Sequence, residues 1–354
     1  YIEKYNNKSV VEIPEVSELV NIIMALHKDA ENEDNMFDVS TEYYQRVKEY
    51  FKESITHPMI DSVHNNINTI TLLEEHNINV FSSESYNFYY DLKMNACSYY
   101  FDENGIITHN GAVKNFRGGD NLVNKYLNLI QDFSDKSNFR QFYKDNQPYY
   151  TELLKTYTEL NPIQQMQSWL DKKFEFGYGS YAVYFSPLIY GAHSTQKYAS
   201  NNFTQTIMFI ARADFDKELT PIHNELRESR VVFTEIDHNY VNPVSDTFLE
   251  HINKSLSNRE KWAKGVGNDM YKSPYMVFNE YMTFGVYSLY ISDNYTEQDV
   301  IKYLPELEES MGNTRGFIQF KAFNQELLSE YKKNPSIKIT DLYKHMLDWC
   351  AKHN

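Results

Sequence analysis

Residues 231–243 read VVFTEIDHNYVNP. On an α-helix, positions i and i+4 project from one face, so Thr234 and His238 share a face and Glu235 stands beside the first of them. Two imidazoles at that spacing hold a zinc ion, and a glutamate next to the first becomes general base for the ion-bound water; this is the chemistry of an H-E-x-x-H helix. Here a threonine occupies the first position. A neutral hydroxyl is not among the usual zinc ligands. The helix therefore offers one imidazole, His238, and one base candidate, Glu235. Thr234 and Asp237 are further candidates to line the same cleft or touch an ion.

An E-x-x-H run also arises by chance, and then Glu235 serves a polar network while His238 is an ordinary satisfied histidine. Two features speak for more. The apolar flanks Val231, Val232, Phe233 and Ile236 predict a buried helix. Acids and a histidine on such a helix are costly unless paired or coordinated. The run at 273–291 is long and apolar yet contains one acid, Glu280. A carboxylate there needs a partner, and His238 and a metal ion are two candidates.

The elements that must position these residues follow from periodicity and capping. The opening YIEKYNNKSVVEIPE is polar, is broken by Pro14, and reads as a strand or an arm. Amphipathic helices are predicted over 16–28, 40–54 (capped by Ser40 or Thr41), 58–76, 121–133 and 148–157. Gly118, Gly119 and Asp120 read as a helix start, with the glycine pair able to cradle an anion. The segment 174–212 is aromatic, β-branched and punctuated by Gly and Pro, which predicts two or three strands. A helix over 221–238 carries the motif, with Pro221 in its first turn and Asn242–Pro243 stopping or bending it. SNRE (257–260) reads as a capping box and Gly265 as a helix stop. Ser273–Pro274 opens the apolar helix, and Thr296 and Thr340 read as later N-caps. The expected fold class is α+β and mostly helical. Its organisation is a helical part over 1–170 and a part over 171–354 that holds the strands, the motif helix and the C-terminal helices; the two can also form one compact unit.

In the order of these elements the chain resembles the zincin metallopeptidase superfamily. The strand pair ends in TIMFIARAD, the helix with VVFTEIDHNYVNP follows, and a later helix carries NEYMTFGVYSLYI. This is similar to the branch of that superfamily in which a distal glutamate is the third ligand. The chain looks closest to a family of exported bacterial zincin-like proteins, a domain of unknown function, whose active-site helix is followed by an NP turn and whose distal helix carries an NEY acid. SPLIYGAH (186–193) also resembles that family's strand region. The likeness covers roughly 15–300, its specific motifs only 186–193, 231–243 and 279–290.

The resemblance implies a zincin-like fold with a small mixed β-sheet. It makes Glu235 the general base, His238 the second ligand and Glu280 the third. Thr234 breaks the pattern at the first ligand, so zinc is expected to be weak or absent, and the site is degenerate: inactive, or rearranged around another ligand. His193 or His223 can supply the missing imidazole, with His193 preferred because the adjoining strand borders the cleft in zincins. A peptide or protein would be the substrate. The start at Tyr1 rather than Met fits an exported, periplasmic or cell-surface protein, with a lipid anchor before processing one possibility.

Composition bounds the alternatives. A net charge of −15 argues against nucleic acid and against an anionic membrane surface. No apolar run is long enough to span a bilayer. Cys97 and Cys350 have no neighbours at zinc-finger spacing and no activated-thiol setting. Nucleotide loops and a G-x-S-x-G elbow are absent. A non-catalytic peptide- or carbohydrate-binding protein is the main rival, because the chain carries 30 tyrosines and aromatic faces suit sugars and extended peptides. Glu235 and His238 also match, once, the Glu-x-x-His of di-iron bundles, which need the motif twice.

Overall fold

The structure, a computed structural model, describes residues 1–354 except 33–35, 68–83, 112–120, 192, 201–202 and 211–214. They form two compact units. One comprises Tyr1–Thr158 and Gly179–Ala213; the other comprises Glu159–Tyr178 and Asp214–Asn354. The chain is α+β and mostly helical.

The first unit contains α1 (Ile2–Tyr5), β1 (Lys8–Glu12), α2 (Glu15–Ala25), α3 (Glu42–Tyr50), α4 (Pro58–Ile67) and α5 (Glu84–Asn95). A short hairpin, β2 (Tyr99–Phe101) and β3 (Ile107–His109), precedes α6 (Leu122–Ser137), α7 (Phe139–Asp145) and α8 (Gln147–Leu160), in which the chain passes to the second unit. Strands β4 (Ser180–Phe185), β5 (Ser194–Ser200) and β6 (Phe203–Ile210) complete a mixed sheet in the order β1-β4-β6-β5. β1, β4 and β6 run parallel, and β5 is an antiparallel edge. Each residue of β4 is buried, as expected of a strand paired on both sides and covered on both faces.

The opening segment read as a strand or an arm is thus a sheet edge. Because Lys8–Glu12 pairs residue for residue with Ser180–Tyr184, the strands of 174–212 cluster with the N-terminal stretch. The division does not follow one cut near residue 170. α2 is buried along nearly its whole length. Its Glu18 accepts a hydrogen bond from the Tyr43 hydroxyl at 2.7 Å, and burial pushes its carboxyl up to about 7. Thr41 caps α3 by accepting from the Tyr44 N–H. The start expected at Gly118–Asp120 and the end of the 58–76 helix lie outside the described residues; Asn121 caps α6, accepting from the Asn124 N–H at 3.0 Å.

The second unit has no strand among its described residues. It contains α9 (Ile163–Lys173), α10 (Pro221–Thr247), α11 (Leu249–Ser255), α12 (Val266–Met270), α13 (Pro274–Asn294), α14 (Glu297–Glu309), α15 (Phe320–Lys333) and α16 (Ile339–His353). α13 is its centre: every residue from Val277 to Ile291 is buried. Ser273 caps α13 and Thr296 caps α14. Lys338, not Thr340, precedes α16. SNRE makes only a single 3-10 turn, without a side-chain cap bond. Gly265, expected as a helix stop, instead precedes α12 with φ +51°.

The motif helix is longer than its sequence suggests. α10 does not stop at Asn242–Pro243 but continues to Thr247 with Pro243 inside it. A proline there removes the N–H that would bond the carbonyl four residues earlier, that of Asn239. The Tyr178 hydroxyl donates to that carbonyl at 2.6 Å. Tyr343 donates to the Val241 carbonyl at 3.0 Å and ties the same stretch to α16. The Tyr178 hydroxyl supplies the donor that the proline lacks, and the helix survives it.

Candidate functional site

Thr220 caps α10, accepting from the His223 N–H at 3.2 Å, and Pro221 takes the first turn. Nearly four turns on, Thr234 is buried and donates its hydroxyl to the Val231 carbonyl at 3.0 Å. That hydroxyl is spent on the helix's own backbone, a usual fate for threonine inside a helix. His238 lies one turn further, half-buried.

α13 packs on α10 and brings in Glu280. His238 Nε2 lies 3.4 Å from Glu280 Oε1. The other ring nitrogen, Nδ1, is 3.5 Å from both Thr283 Oγ1 and Asn242 Oδ1, at the long limit of hydrogen bonding. Two helices therefore bring together the histidine and the distal acid that the sequence separates.

The second oxygen of Glu280 has a different partner. Arg315 donates to Glu280 Oε2 at 2.6 Å and to the Tyr271 hydroxyl at 2.8 Å. Its guanidinium also lies 4.7 Å from the Phe284 ring centre, a cation–π distance. Burial opposes the arginine's charge, but Glu280 and Tyr271 more than offset this and hold its pKa above the ordinary value, with Glu235 adding in the same direction. The Tyr271 hydroxyl is pushed well up, first by burial and then by Glu280. The side chain of Glu280 is 7% exposed and that of Arg315 34%, so the acid is interior and the arginine reaches solvent.

Local backbone sets Arg315 in place. It follows a π-helical turn, Ser310–Thr314, and its N–H bonds the Ser310 carbonyl at 3.0 Å. Gly316, with φ +79°, turns the chain so that its carbonyl accepts from the Lys264 N–H at 2.8 Å. A positive φ of this size is the region glycine occupies without strain.

The remaining candidates are placed as follows. Asp237 is fully buried, and neither carboxylate oxygen has a hydrogen-bond partner among the described residues. Burial drives its carboxyl well above the ordinary range, and Tyr343 of α16 feels its charge. It is an interior acid rather than a residue lining an open cleft. His223 Nε2 pairs with Glu306 at 2.8 Å. Fifteen residues separate it from His238 on one helix, roughly 22 Å along the axis, so it cannot share an ion with it. His193 lies in the first unit, just before β5. Glu235 is half-buried on α10, close enough for Arg315 to feel its charge.

These donors do not fit a zinc ion. Zinc takes ligands at about 2.0–2.2 Å and uses three protein side chains at a catalytic site. His238 and Glu280 are two, and Glu280 already holds a guanidinium at 2.6 Å. Among the described residues no three His, Cys, Asp or Glu side chains converge where an ion would sit. Arg315 and Tyr271 were missed by sequence reasoning. The only signal was a basic residue beside a glycine in NTRGF, which carries no recognisable chemistry by itself.

No family model matches the chain, and neither a curated protein nor a solved structure matches it. No helix among the described residues is long and apolar enough to cross a membrane.

Proposed function

We propose that this chain is a zincin-like protein that has exchanged metal chemistry for a fixed charge cluster, and that it acts by binding peptides rather than cleaving them. The observation that carries this is the Arg315–Glu280–His238 chain, with contacts of 2.6 and 3.4 Å. In a zinc site the distal carboxylate and the imidazole face a divalent cation. Here a guanidinium supplies the positive charge to the carboxylate, and Thr234 has turned its hydroxyl to the backbone. Glu235 then has no ion-bound water to activate; beside Arg315 it belongs to a polar surface of mixed charge. Such a surface, bordered by Tyr271, suits main-chain amides and carboxylates of a peptide.

The test is hydrolysis of a quenched fluorescent peptide library by the purified chain, with added zinc or with chelator. The expected result is no turnover above the blank in either, and no change on Glu235→Gln. Cleavage that needs zinc and disappears in Glu235→Gln would refute the proposal. Binding of the same peptides, measured by fluorescence polarisation, is expected to weaken in Arg315→Met.

A further inference from the structure

The first unit contains a cavity of about 380 Å³, within the size range of small-molecule sites. His27 lines it. This side chain is 2% exposed, and neither ring nitrogen has a hydrogen-bond partner among the described residues. The ring packs 5.9 Å from that of His64 and edge-on to Phe37. His64 in turn faces Asp29, with Nδ1 3.4 Å from Oδ2. Burial, and then the neighbouring His64, hold His27 down to about 4 against the pull of Asp29. At neutral pH it is an uncharged imidazole with one N–H donor and one acceptor. Leaving both unmade inside a protein costs free energy that a bound polar group would recover.

The rest of the lining says what kind of group that is. Leu26, Ile55 and Ile60 give an apolar wall. Lys28, Lys48 and Lys52 stand around it against two acids, Glu31 and Asp61. With Glu49 and Asp29 pressed against the lining residues Lys52 and His64, the cavity carries no general excess of positive charge, and what it offers an anion is local. Glu31 is already taken by Lys48, and Lys52 is tied to Glu49, which is not part of the lining. Lys28 is exposed and unpaired among the described residues.

We propose that this cavity binds a small amphipathic anion: a carboxylate or phosphate head on a short apolar body. The head takes the His27 N–H and the Lys28 ammonium, and the body lies against Leu26, Ile55 and Ile60. This site is separate in sequence and in chemistry from the arginine cluster and stands whether or not that cluster binds peptides.

Hexanoate, hexyl phosphate, 1-hexanol and hexylamine share one apolar body and differ in the head. Titration of the full chain with each, followed by calorimetry and by the histidine ring ¹⁵N resonances, tests the site. Hexanoate or hexyl phosphate is expected to bind at least about tenfold tighter than hexanol, a difference of about 1.4 kcal/mol, and to move the His27 signals. Whichever of the two is tighter identifies the head. Lys28→Glu, at an exposed position, is expected to weaken the anion about tenfold without changing Tm. His27→Phe should abolish the preference for the anion; should that variant not fold, Lys28→Glu and the hexanol comparison decide. Equal binding of hexanol and hexanoate, tighter binding of hexylamine, indifference to Lys28→Glu, or no saturable binding of any probe would each overturn the proposal.

Discussion

Restoring the missing histidine should not by itself restore a zinc site. In Thr234→His an imidazole would stand one helical turn from His238 and add a third donor to His238 and Glu280. If the roughly 10–16 kcal/mol of a four-ligand zinc site is shared among its ligands, the new ring contributes about 3 kcal/mol. Against this stands Arg315. A unit charge about 4 Å away is worth about 4 kcal/mol at an effective dielectric of about 20, and a divalent ion doubles the repulsion. The arginine side chain is 34% exposed, so screening reduces that to a few kcal/mol, enough to cancel the added ligand. Thr234→His alone is therefore expected to bind zinc no more than about tenfold tighter than the parent chain. Thr234→His with Arg315→Met frees Glu280 and removes the repulsion, and should gain a further factor of about 10² or more. Calorimetric zinc titration of the parent, both single variants and the double variant measures this directly. A single variant, Thr234→His, that binds as tightly as the double would show that Arg315 does not hold the site closed.

Three further outcomes follow from the same geometry. Tyr178→Phe should cost about 1–2 kcal/mol, because it strips the Asn239 carbonyl of its donor; adding Pro243→Ala restores a backbone N–H there, so denaturant titration of the pair should show that loss largely recovered. Gly316→Ala, at φ +79° and with a Cβ that would run into the Lys264 carbonyl oxygen, should destabilise the chain by about 2 kcal/mol or more and lower the affinity for peptide along with Arg315→Met. His27 carries a pH dependence: its folded value of about 4 lies below the ordinary 6.5, so between these pH values the unfolded chain takes up a proton that the folded chain refuses. Its contribution is fully present above pH 6.5 and lost as pH falls towards 4, up to about 3 kcal/mol, and His27→Leu should flatten that part of the curve of stability against pH.

What the sequence revealed, and what it hid, divides along the range of the interactions. Ser273–Pro274 and the apolar run behind it placed α13, and Pro221 placed the start of α10, because caps and periodicity act within a few residues. The meeting of His238 with Glu280 was open to inference because a lone acid inside an apolar helix demands a partner. The end of α10 was not legible. Pro243 reads locally as a breaker, and only a tyrosine from a distant segment makes it tolerable. Arg315 was invisible for a similar reason: a π-turn and a left-handed glycine carry it to Glu280, and neither leaves a periodic trace. The grouping of the strands with the N-terminal stretch depended on β1, whose Lys8–Glu12 is too short and polar to announce a sheet edge. Asp237 read as a cleft residue because helical spacing puts it next to His238 in sequence, yet a step of about 100° turns it to the interior.

The most direct measurement is a crystal structure grown with excess zinc, with anomalous data collected at the zinc absorption edge. The expected result is an Arg315 guanidinium on Glu280 and no anomalous peak between Glu280 and His238. A peak within about 2.2 Å of His238 Nε2 and a Glu280 oxygen, with Arg315 swung away, would contradict the replacement of a metal by an arginine.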